Sequence, residues 1–418
     1  MPSIHFLDVT NRDGVQTART GLSKFGKVMV NFYLGRLGVA QSEIGFPFLF
    51  HEVPYVRACL ALAEAGAFGD LRLSGWCRAV PADVESAVSV TGPDGRGLRH
   101  YNVSISTSDQ MIAHKFLGKL DRAAIIDEMT ASVAVARAAG AETVGVNAED
   151  GSRTDDGYLL EFAAAAREAG ASRVRYCDTT GGDSPGRIRE RFAKLAAATG
   201  LPVETHCHND LGMAVANSVS GALGDLDAGQ DAWVNTCVNG IGERAGNADL
   251  LSCILAFSYA FGLSEEAVIG DPVDLSWARR FGLWAAYAFG QPLPPAWPGV
   301  GRNAFAHESG IHADGALKDR ANYELYDDEE LGPFPADWFT RPGRVVLTGE
   351  YGGKAGFRHV LDGLGLEVAD GDEDLVFSLV QLCASATGKP LTDDELRLIA
   401  GYPRQLALLF PGQLTQAG

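Results

Sequence analysis

The chain has 418 residues, of which 46% are apolar and 21% charged. This composition supplies a large buried core and excludes a disordered or fibrous protein. The formal net charge of −18 argues against binding to nucleic acid or to an anionic membrane, because both require a cationic face. A small anionic substrate remains compatible with this charge.

The cysteine content and the amino terminus indicate where such a chain works. Seven cysteines occur without a CxxC spacing, and this odd number argues against a disulfide framework or a zinc ribbon. The first residues, MPSIHFLDVT, lack a basic region followed by an apolar run, and no apolar run is long enough to span a membrane. We therefore expect a cytoplasmic protein without a membrane partner.

Short β-rich runs alternate with helix-like stretches up to residue 262. The pattern predicts helices that include 125–139, 159–169 and 187–198. It predicts strands over 4–9, 40–44, 71–77, 101–106, 143–147, 173–177, 203–206 and 232–238. Such a succession of strand–helix units is typical of a parallel (βα)8 TIM barrel.

An open doubly wound sheet is the alternative fold. A dinucleotide-binding sheet of that type carries a GxGxxG loop after its first strand, and residues 10–14 read TNRDG instead. Polar clusters also follow predicted strands 1, 5, 6, 7 and 8. A closed barrel brings all these carboxyl-terminal ends to one mouth, so the pattern favours the barrel.

The sequence predicts three regions. Residues 1–265 form the barrel, and residues 266–306 form a connector that contains the proline-rich run 291–301. Residues 307–418 form a small C-terminal lid and helical subdomain, with helices predicted over 374–386 and 393–400.

A candidate metal site lies at the end of predicted strand 7. His206 and His208 are two positions apart, so both side chains point to the same side of a strand. An isolated pair of this kind is more often structural, but Asp13 follows strand 1 on the same rim. Two imidazoles and one carboxylate suit a divalent ion with open positions for substrate oxygens. Asn247 follows strand 8 and could orient a bound ligand.

Other charged residues at the strand ends could bind substrate or transfer protons. Candidates for contacts with substrate oxygens and carboxylates are Arg12, Arg78, Arg175 and Thr179. A structural salt bridge or cap is at least as common for each of them. Glu149 and His312 are candidates for acid–base chemistry, although a single loop histidine is usually just solvated.

Four motifs together closely resemble a known family. They are DVTNRDGVQ at 8–16, HCHNDLG at 206–212, GIGERAGN at 240–247 and HESGIHADG at 307–315. In this order they resemble the metal-dependent Claisen-condensing enzymes, which include isopropylmalate, homocitrate, citramalate and Re-type citrate synthases. The resemblance runs from about residue 4 to beyond residue 360.

The resemblance implies both cofactors and residue roles. A divalent ion (manganese, cobalt, magnesium, zinc or iron) would be held by residues matching Asp13, His206 and His208, with Asn247 nearby. The co-substrates would be acetyl-CoA and a 2-oxo acid. His312, assisted by Glu149, would remove the methyl proton of acetyl-CoA, and Arg12 would stabilise developing oxygen charge. The resemblance also implies a homodimer with exchanged lids, and contacts to the acid from Gln16, Thr179 and Tyr323.

The choice of acid rests on finer sequence features. Asn11 and Val15 depart from the isopropylmalate synthase pattern, and this run together with 41–47, 145–150 and 175–181 most resembles Re-type citrate synthases, which implies oxaloacetate. Homocitrate synthases carry arginine at the position matching Gly145 and glutamate at that matching Asp13. Only about 60 residues follow GGKAG at 352–356, too few for the regulatory domain of isopropylmalate synthases.

Several alternatives remain at this stage. Homocitrate, isopropylmalate and citramalate synthases differ in the acid they accept. A 3-hydroxyacyl-CoA lyase runs the reverse type of reaction, but the related lyases carry a cysteine in the loop 239–247, where this chain has none. A catalytically silent barrel is a third class.

Overall fold

A computed structural model describes residues 2–265, 267–334, 347–369 and 371–414. Eight parallel strands pair in chain order, and the eighth pairs with the first to close a barrel. This confirms the predicted TIM barrel. The strands are β1 (Ile4–Asp8), β2 (Gln41–Glu43), β3 (Arg72–Arg78), β4 (His100–Ser106), β5 (Thr143–Glu149), β6 (Arg173–Asp178), β7 (Val203–Cys207) and β8 (Ala232–Thr236).

Helices follow the strands and surround the barrel. They are α1 (Lys24–Leu37), α2 (Val53–Glu64), α3 (Pro81–Val88), α4 (Asp109–His114), α5 (Arg122–Ala138), α6 (Asp156–Glu168), α7 (Pro185–Thr199), α8 (Ala214–Asp227) and α9 (Leu250–Tyr259). Aspartate side chains accept backbone N–H bonds at the starts of α5, α6 and α9, from Asp121, Asp155 and Asp249. Short 3-10 turns at Gly14–Gln16, Gly151–Arg153 and Val238–Gly240 lie at the barrel mouth.

The apolar core lies between the strands and the surrounding helices. Val103, Val146 and Val174 are buried on the strands, and Phe6 of β1 contacts Phe257 of α9 with ring centroids 6.3 Å apart. Burial of these side chains is the main favourable contribution to folding. It fixes the strand ends on which the polar side chains of the mouth are carried.

The barrel interior, in contrast, contains charged side chains. Glu43 of β2 accepts hydrogen bonds from Arg175 of β6 at 2.8 and 3.2 Å, and Arg175 also donates to Glu204 of β7 at 2.5 Å. Arg173 pairs with the second oxygen of Glu204 at 2.6 Å, and Asn102 donates to Glu43 at 2.6 Å. These residues are almost fully buried. We call Glu43, Arg175 and Glu204 the interior ion network. Bulky aliphatic residues are the usual filling of TIM barrels.

Parts of the described chain beyond the barrel pack against its outside. Segment 266–306, predicted as a connector, includes helix α10 (Ala278–Phe289), whose Phe281 stacks on Tyr33 of α1 at 5.3 Å. Farther along are α11 (Gly310–Lys318), α12 (Lys354–Gly363), α13 (Glu373–Thr387), α14 (Asp393–Gly401) and α15 (Pro403–Leu406). Asp394 accepts from Tyr33 and from Arg280, at 2.8 and 2.7 Å, which joins α14 to α1 and α10.

Helices α13 and α14 match the two helices predicted near the carboxyl terminus to within one or two residues. In the part of the chain that the structure describes, no helix combines the length and apolar character needed to cross a membrane.

Candidate metal centre and active site

A cavity of about 260 Å³ opens at the carboxyl-terminal mouth of the barrel. This is the end at which TIM barrels carry their active sites. Its lining includes most of the residues predicted from the strand ends. The lining residues are Arg12, Asp13, Gln16, Trp76, Ser104, Lys115, Asn147, Glu149, Cys177, Thr179, His206, His208, Glu243 and Arg244.

Asp13, His206 and His208 lie together in this cavity, as their positions after β1 and β7 predict. One ligand atom from each residue lies within 4.8 Å of the others, and all three side chains are buried. The two imidazole rings have centroids 5.0 Å apart and are nearly perpendicular. Two nitrogen donors and one carboxylate can hold a divalent transition metal ion and leave positions for substrate.

Buried polar atoms around the cluster fit such an ion. Among the described residues, His208 Nδ1 and Asn247 Oδ1 are buried without a hydrogen-bond partner. Asn247 lies against the cluster, because its Nδ2 donates to Asp13 Oδ2 and its backbone forms a bridge with His208. A buried polar atom left unpaired costs free energy. A bound cation, with its waters or substrate oxygens, would supply the missing partners.

The orientation of His206 is set by the barrel interior. Asn235 Nδ2 donates to Glu204 Oε1 at 2.8 Å, so the amide oxygen of Asn235 faces His206 Nδ1, also at 2.8 Å. His206 Nδ1 therefore carries the proton and donates it to Asn235. The lone pair of Nε2 is left free for a metal, which is the usual role of a hydrogen-bonded partner behind a ligating histidine.

The electrostatics of the cluster favour metal binding. Burial alone would raise the pKa of Asp13, but the positive charge of Arg12 and a hydrogen bond from Asn247 hold it well below its ordinary value. Burial, together with Arg12, lowers the pKa of His206, and burial lowers that of His208. The carboxylate is therefore ionised and the imidazoles neutral, which are the protonation states that ligate a metal.

Arg12 lines the cavity beside the cluster and is anchored by Glu43 in the barrel interior. Its Nε donates to Glu43 Oε1 at 2.6 Å, and its Nη1 donates to Asp13 Oδ1 at 2.9 Å. The guanidinium has five N–H donors, so others can reach a substrate oxygen in the cavity. Arg12 thus connects the interior ion network to the metal cluster.

Glu149 lies at the end of β5, across the barrel from β1. Lys115 Nζ contacts its two oxygens at 2.8 and 2.7 Å, and Ser106 donates to it at 2.6 Å. Gln16 and Thr179, predicted to contact the acid, also line the cavity. The Thr179 hydroxyl accepts from the backbone N–H of Asp150 at 2.9 Å, which fixes its position.

Two predicted substrate contacts lie away from the cavity. Arg175 is fully buried beneath it, with its guanidinium bound to Glu43 and Glu204. Arg78 points outward and forms a salt bridge with Asp83 on the protein surface. Neither arginine is placed to clamp a substrate carboxylate directly.

The position matching the homocitrate synthase arginine also lies outside the cavity. A Cβ built on Gly145 would come within 2.0 Å of Asn102 Oδ1, in the barrel interior. Residues that line the cavity on β4 and β5 are Ser104, Asn147 and Glu149. The glycine at 145 therefore reflects close packing here and says little about which acid is bound.

His312 and Tyr323 lie together on the lid and apart from the cavity of their own chain. Their rings stack with centroids 4.2 Å apart, and the His312 side chain is exposed. Next to them, His307 pairs with Glu324 at 3.0 Å. The described chain therefore brings the metal cluster, Arg12 and Glu149 together but does not bring His312 to them.

Several cavity residues were missed from the sequence. Lys115 comes from the β4–α5 connection, where the polar run STSD at 106–109 was the available signal. Arg244 donates to Asp210 at 3.0 and 2.9 Å and to the carbonyl of Thr179, which ties the β8 loop to those after β6 and β7. The others are Trp76, Ser104, Asn147, Cys177 and Glu243.

Family models and known proteins match this chain over most of its length. The HMGL-like model matches residues 3–268, and the model described as homocitrate synthase post-HMGL domain-like matches residues 300–387. The chain is 51% identical to the citrate (Re)-synthase of Dehalococcoides mccartyi strain CBDB1, over 98% of this chain and 99% of that protein. It is 36% identical to 2-isopropylmalate synthase 2 of Caldanaerobacter subterraneus subsp. tengcongensis, over 94% of each.

A solved structure supports the fold. The HMG-CoA lyase of Bacillus subtilis superimposes with a TM-score of 0.54 at 20% identity, covering 70% of this chain and 97% of that one. The family models and the two relatives confirm the family resemblance seen in the four sequence motifs. The chain is an enzyme of the HMGL-like family.

Proposed function

We propose that this enzyme is an acyltransferase that condenses acetyl-CoA with oxaloacetate and then hydrolyses the resulting thioester with water to give citrate and CoA. The observation that carries the proposal is the buried cluster of Asp13, His206 and His208 beside Arg12 at the barrel mouth. The similarity to a citrate (Re)-synthase over almost the whole chain supports oxaloacetate as the acceptor. Homocitrate, isopropylmalate and citramalate synthesis are the alternatives that the same assay distinguishes.

Asp13, His206 and His208 would hold a divalent cation, with Asn247 as an adjacent polar group. Manganese, cobalt, magnesium and zinc are the candidates. A cation there supplies a Lewis acid that makes the ketone carbon of a 2-oxo acid more electrophilic. Arg12 donates to the oxygen that gains charge as the carbon–carbon bond forms, and its anchoring by Glu43 and Asp13 keeps this donor in place before the reaction.

His312 is proposed to take the methyl proton of acetyl-CoA, with Glu149 orienting it. Since His312 is exposed and remote from its own cavity, we propose that the lid of a second copy supplies it, in a homodimer with exchanged lids. Exposed apolar side chains on the lid support this arrangement: Ile311 is 76% exposed, Leu317 88% and Leu325 56%. Tyr323, stacked on His312, would enter the partner's cavity with it.

Cytoplasmic location is also part of the proposal. All seven cysteines are free and buried, which fits a compartment that keeps thiols reduced.

The test of the reaction is a substrate comparison. Purified protein is loaded in turn with each candidate metal. It is then incubated anaerobically with acetyl-CoA and one 2-oxo acid: oxaloacetate, 2-oxoglutarate, 2-oxoisovalerate or pyruvate. The release of CoA and the mass of the product are measured. We expect oxaloacetate to give the highest kcat/KM and citrate as product. A preference for another acid would overturn the choice of acceptor.

The test of lid exchange uses two inactive variants. His206→Ala and His312→Ala are expected to be inactive separately, because each lacks one part of the site. Co-expressed chains would form mixed dimers in which one site contains an intact cluster and an intact lid, restoring about a quarter of the wild-type activity. Activity of the co-expressed chains no higher than that of the single variants would contradict exchange.

A further inference from the structure

Lys115 lines the cavity, and the reaction described above gives it no role. Lys115 follows α4, within the long connection between β4 and α5, and its ammonium lies 3.0 Å from Ser106 Oγ and 2.7 Å from Glu149 Oε2. Its side chain is 46% exposed. It therefore reaches the cavity from the rim on a long, flexible stem.

The other two cations that line the cavity, Arg12 and Arg244, are already bound to carboxylates. Arg12 is bound to Glu43 and Asp13, with only 8% of its side chain exposed. Arg244 forms a two-bond contact with Asp210 and donates to the carbonyl of Thr179. Among the described lining residues, Lys115 is thus the cation that can turn toward a new anion at least cost, exchanging part of its contact with Glu149.

The strand order places Lys115 across the mouth from Asp13. Asp13 follows β1, His206 lies at the end of β7 and His208 follows it, whereas Ser106 ends β4 and Glu149 ends β5. In a closed eight-stranded barrel, β4 and β5 lie across the mouth from β1 and β8. A 2-oxo acid whose carboxylate and ketone face Asp13, His206 and Arg12 would direct its far end toward Lys115.

We infer that Lys115 is the specificity-determining residue that binds the second carboxylate of the 2-oxo acid. This inference rests on the proposed function, since it takes the condensation with a 2-oxo acid as given. Lys115 donates charge-assisted hydrogen bonds to that carboxylate in exchange for part of its contact with Glu149. An acid that ends in a methyl group would forgo these bonds.

The experiment compares oxaloacetate with 2-oxobutyrate, in which a methyl group replaces the second carboxylate. In Lys115→Met we expect kcat/KM for oxaloacetate to fall about 10- to 100-fold, the loss typical of a hydrogen bond to a charged group. The value for 2-oxobutyrate should change little. Lys115→Arg should retain most of the activity with oxaloacetate, and Lys119→Met, which removes the same charge from an exposed position of the same connection, should behave as wild type.

Each other outcome overturns the inference. An equal loss with both acids would mean that Lys115 acts through Glu149, and a raised KM for acetyl-CoA alone would mean that it binds CoA. No loss at all would remove it from the site. If the wild-type enzyme uses 2-oxoglutarate and not oxaloacetate, the proposed function fails separately. Lys115 is then tested by comparing 2-oxoglutarate with 2-oxopentanoate in the same variants.

Discussion

A substitution at Glu43 would measure how much the interior ion network contributes to the free energy of unfolding. Its carboxylate is fully buried and accepts from Arg12, from both terminal nitrogens of Arg175 and from Asn102. Glu43→Gln keeps the side-chain shape but removes the charge. It also turns an amide N–H₂ group toward guanidinium donors. The buried positive charges of Arg12 and Arg175 then lose part of the negative charge that balances them.

Two estimates of the cost agree. Removing one partner of a buried ion pair typically costs about 3–5 kcal/mol. Burial raises the pKa of Glu43, but the attraction of Arg175 and Arg12 outweighs it and lowers the pKa from 4.5 to about 2. A lowering of this size corresponds to about 3 kcal/mol of the free energy of unfolding near neutral pH.

The assay is urea unfolding followed by tryptophan fluorescence, for wild type and for Glu43→Gln. The matched control is Asp83→Asn, which breaks the exposed salt bridge to Arg78 and should cost less than about 1 kcal/mol. Activity should fall along with stability in Glu43→Gln, because Arg12 loses an anchor. A free energy of unfolding within about 1 kcal/mol of wild type would refute the reasoning.

The pH dependence follows from the same pKa. Because the folded pKa of Glu43 lies below its unfolded value, the unfolded chain binds the proton more readily in acid. The stabilisation is therefore present above pH 4.5 and is lost as the pH falls toward about 2. We expect the stability difference between wild type and Glu43→Gln to shrink over this interval. A constant difference would assign the loss to packing.

Three further variants test the site. His206→Ala should lose metal binding by calorimetry and lose turnover while retaining wild-type circular dichroism, and substantial remaining activity would contradict the ligand assignment. Asn235→Leu should weaken metal affinity about 10- to 100-fold, because the His206 ring loses the acceptor that orients it; unchanged affinity would exclude that positioning role. His312→Ala should retain metal and oxo-acid binding but stop exchange of the acetyl-CoA methyl protons with solvent, and normal exchange would remove His312 from proton transfer.

Much of the fold was predictable because short β-rich runs, most of them with buried apolar residues, alternate with clear helical stretches. All eight predicted strands overlap the observed ones, from 4–9 against Ile4–Asp8 to 232–238 against Ala232–Thr236. The metal cluster was predictable for the same reason: the ends of parallel strands are neighbours in space. Asp13 and His206 are distant in sequence, yet their place in the strand order brings them to one mouth.

What the sequence did not reveal depends on the direction of individual side chains. Arg175 and Cys177 point to the same side of β6, into the barrel, but Arg175 lies one layer below the cavity that Cys177 lines. Arg78 leaves β3 toward the surface for the salt bridge with Asp83. Lys115 lies in a connection without strand periodicity, so its approach to Glu149 was not readable from a pattern.

The interior ion network also constrains how this barrel can diverge. Replacing Glu43, Arg175 or Glu204 alone with a neutral residue leaves a buried charge without its partner. Replacing the whole set with apolar residues need not destabilise the fold. The effects of these positions on fitness should therefore be strongly epistatic. Substitutions at the rim, where Lys115 and Gln16 lie, would change substrate contacts without leaving a buried charge unpaired, whereas the interior ion network would change as a set or not at all. New specificities for the acceptor acid would then arise by changes at the rim, while the interior ion network stays the same.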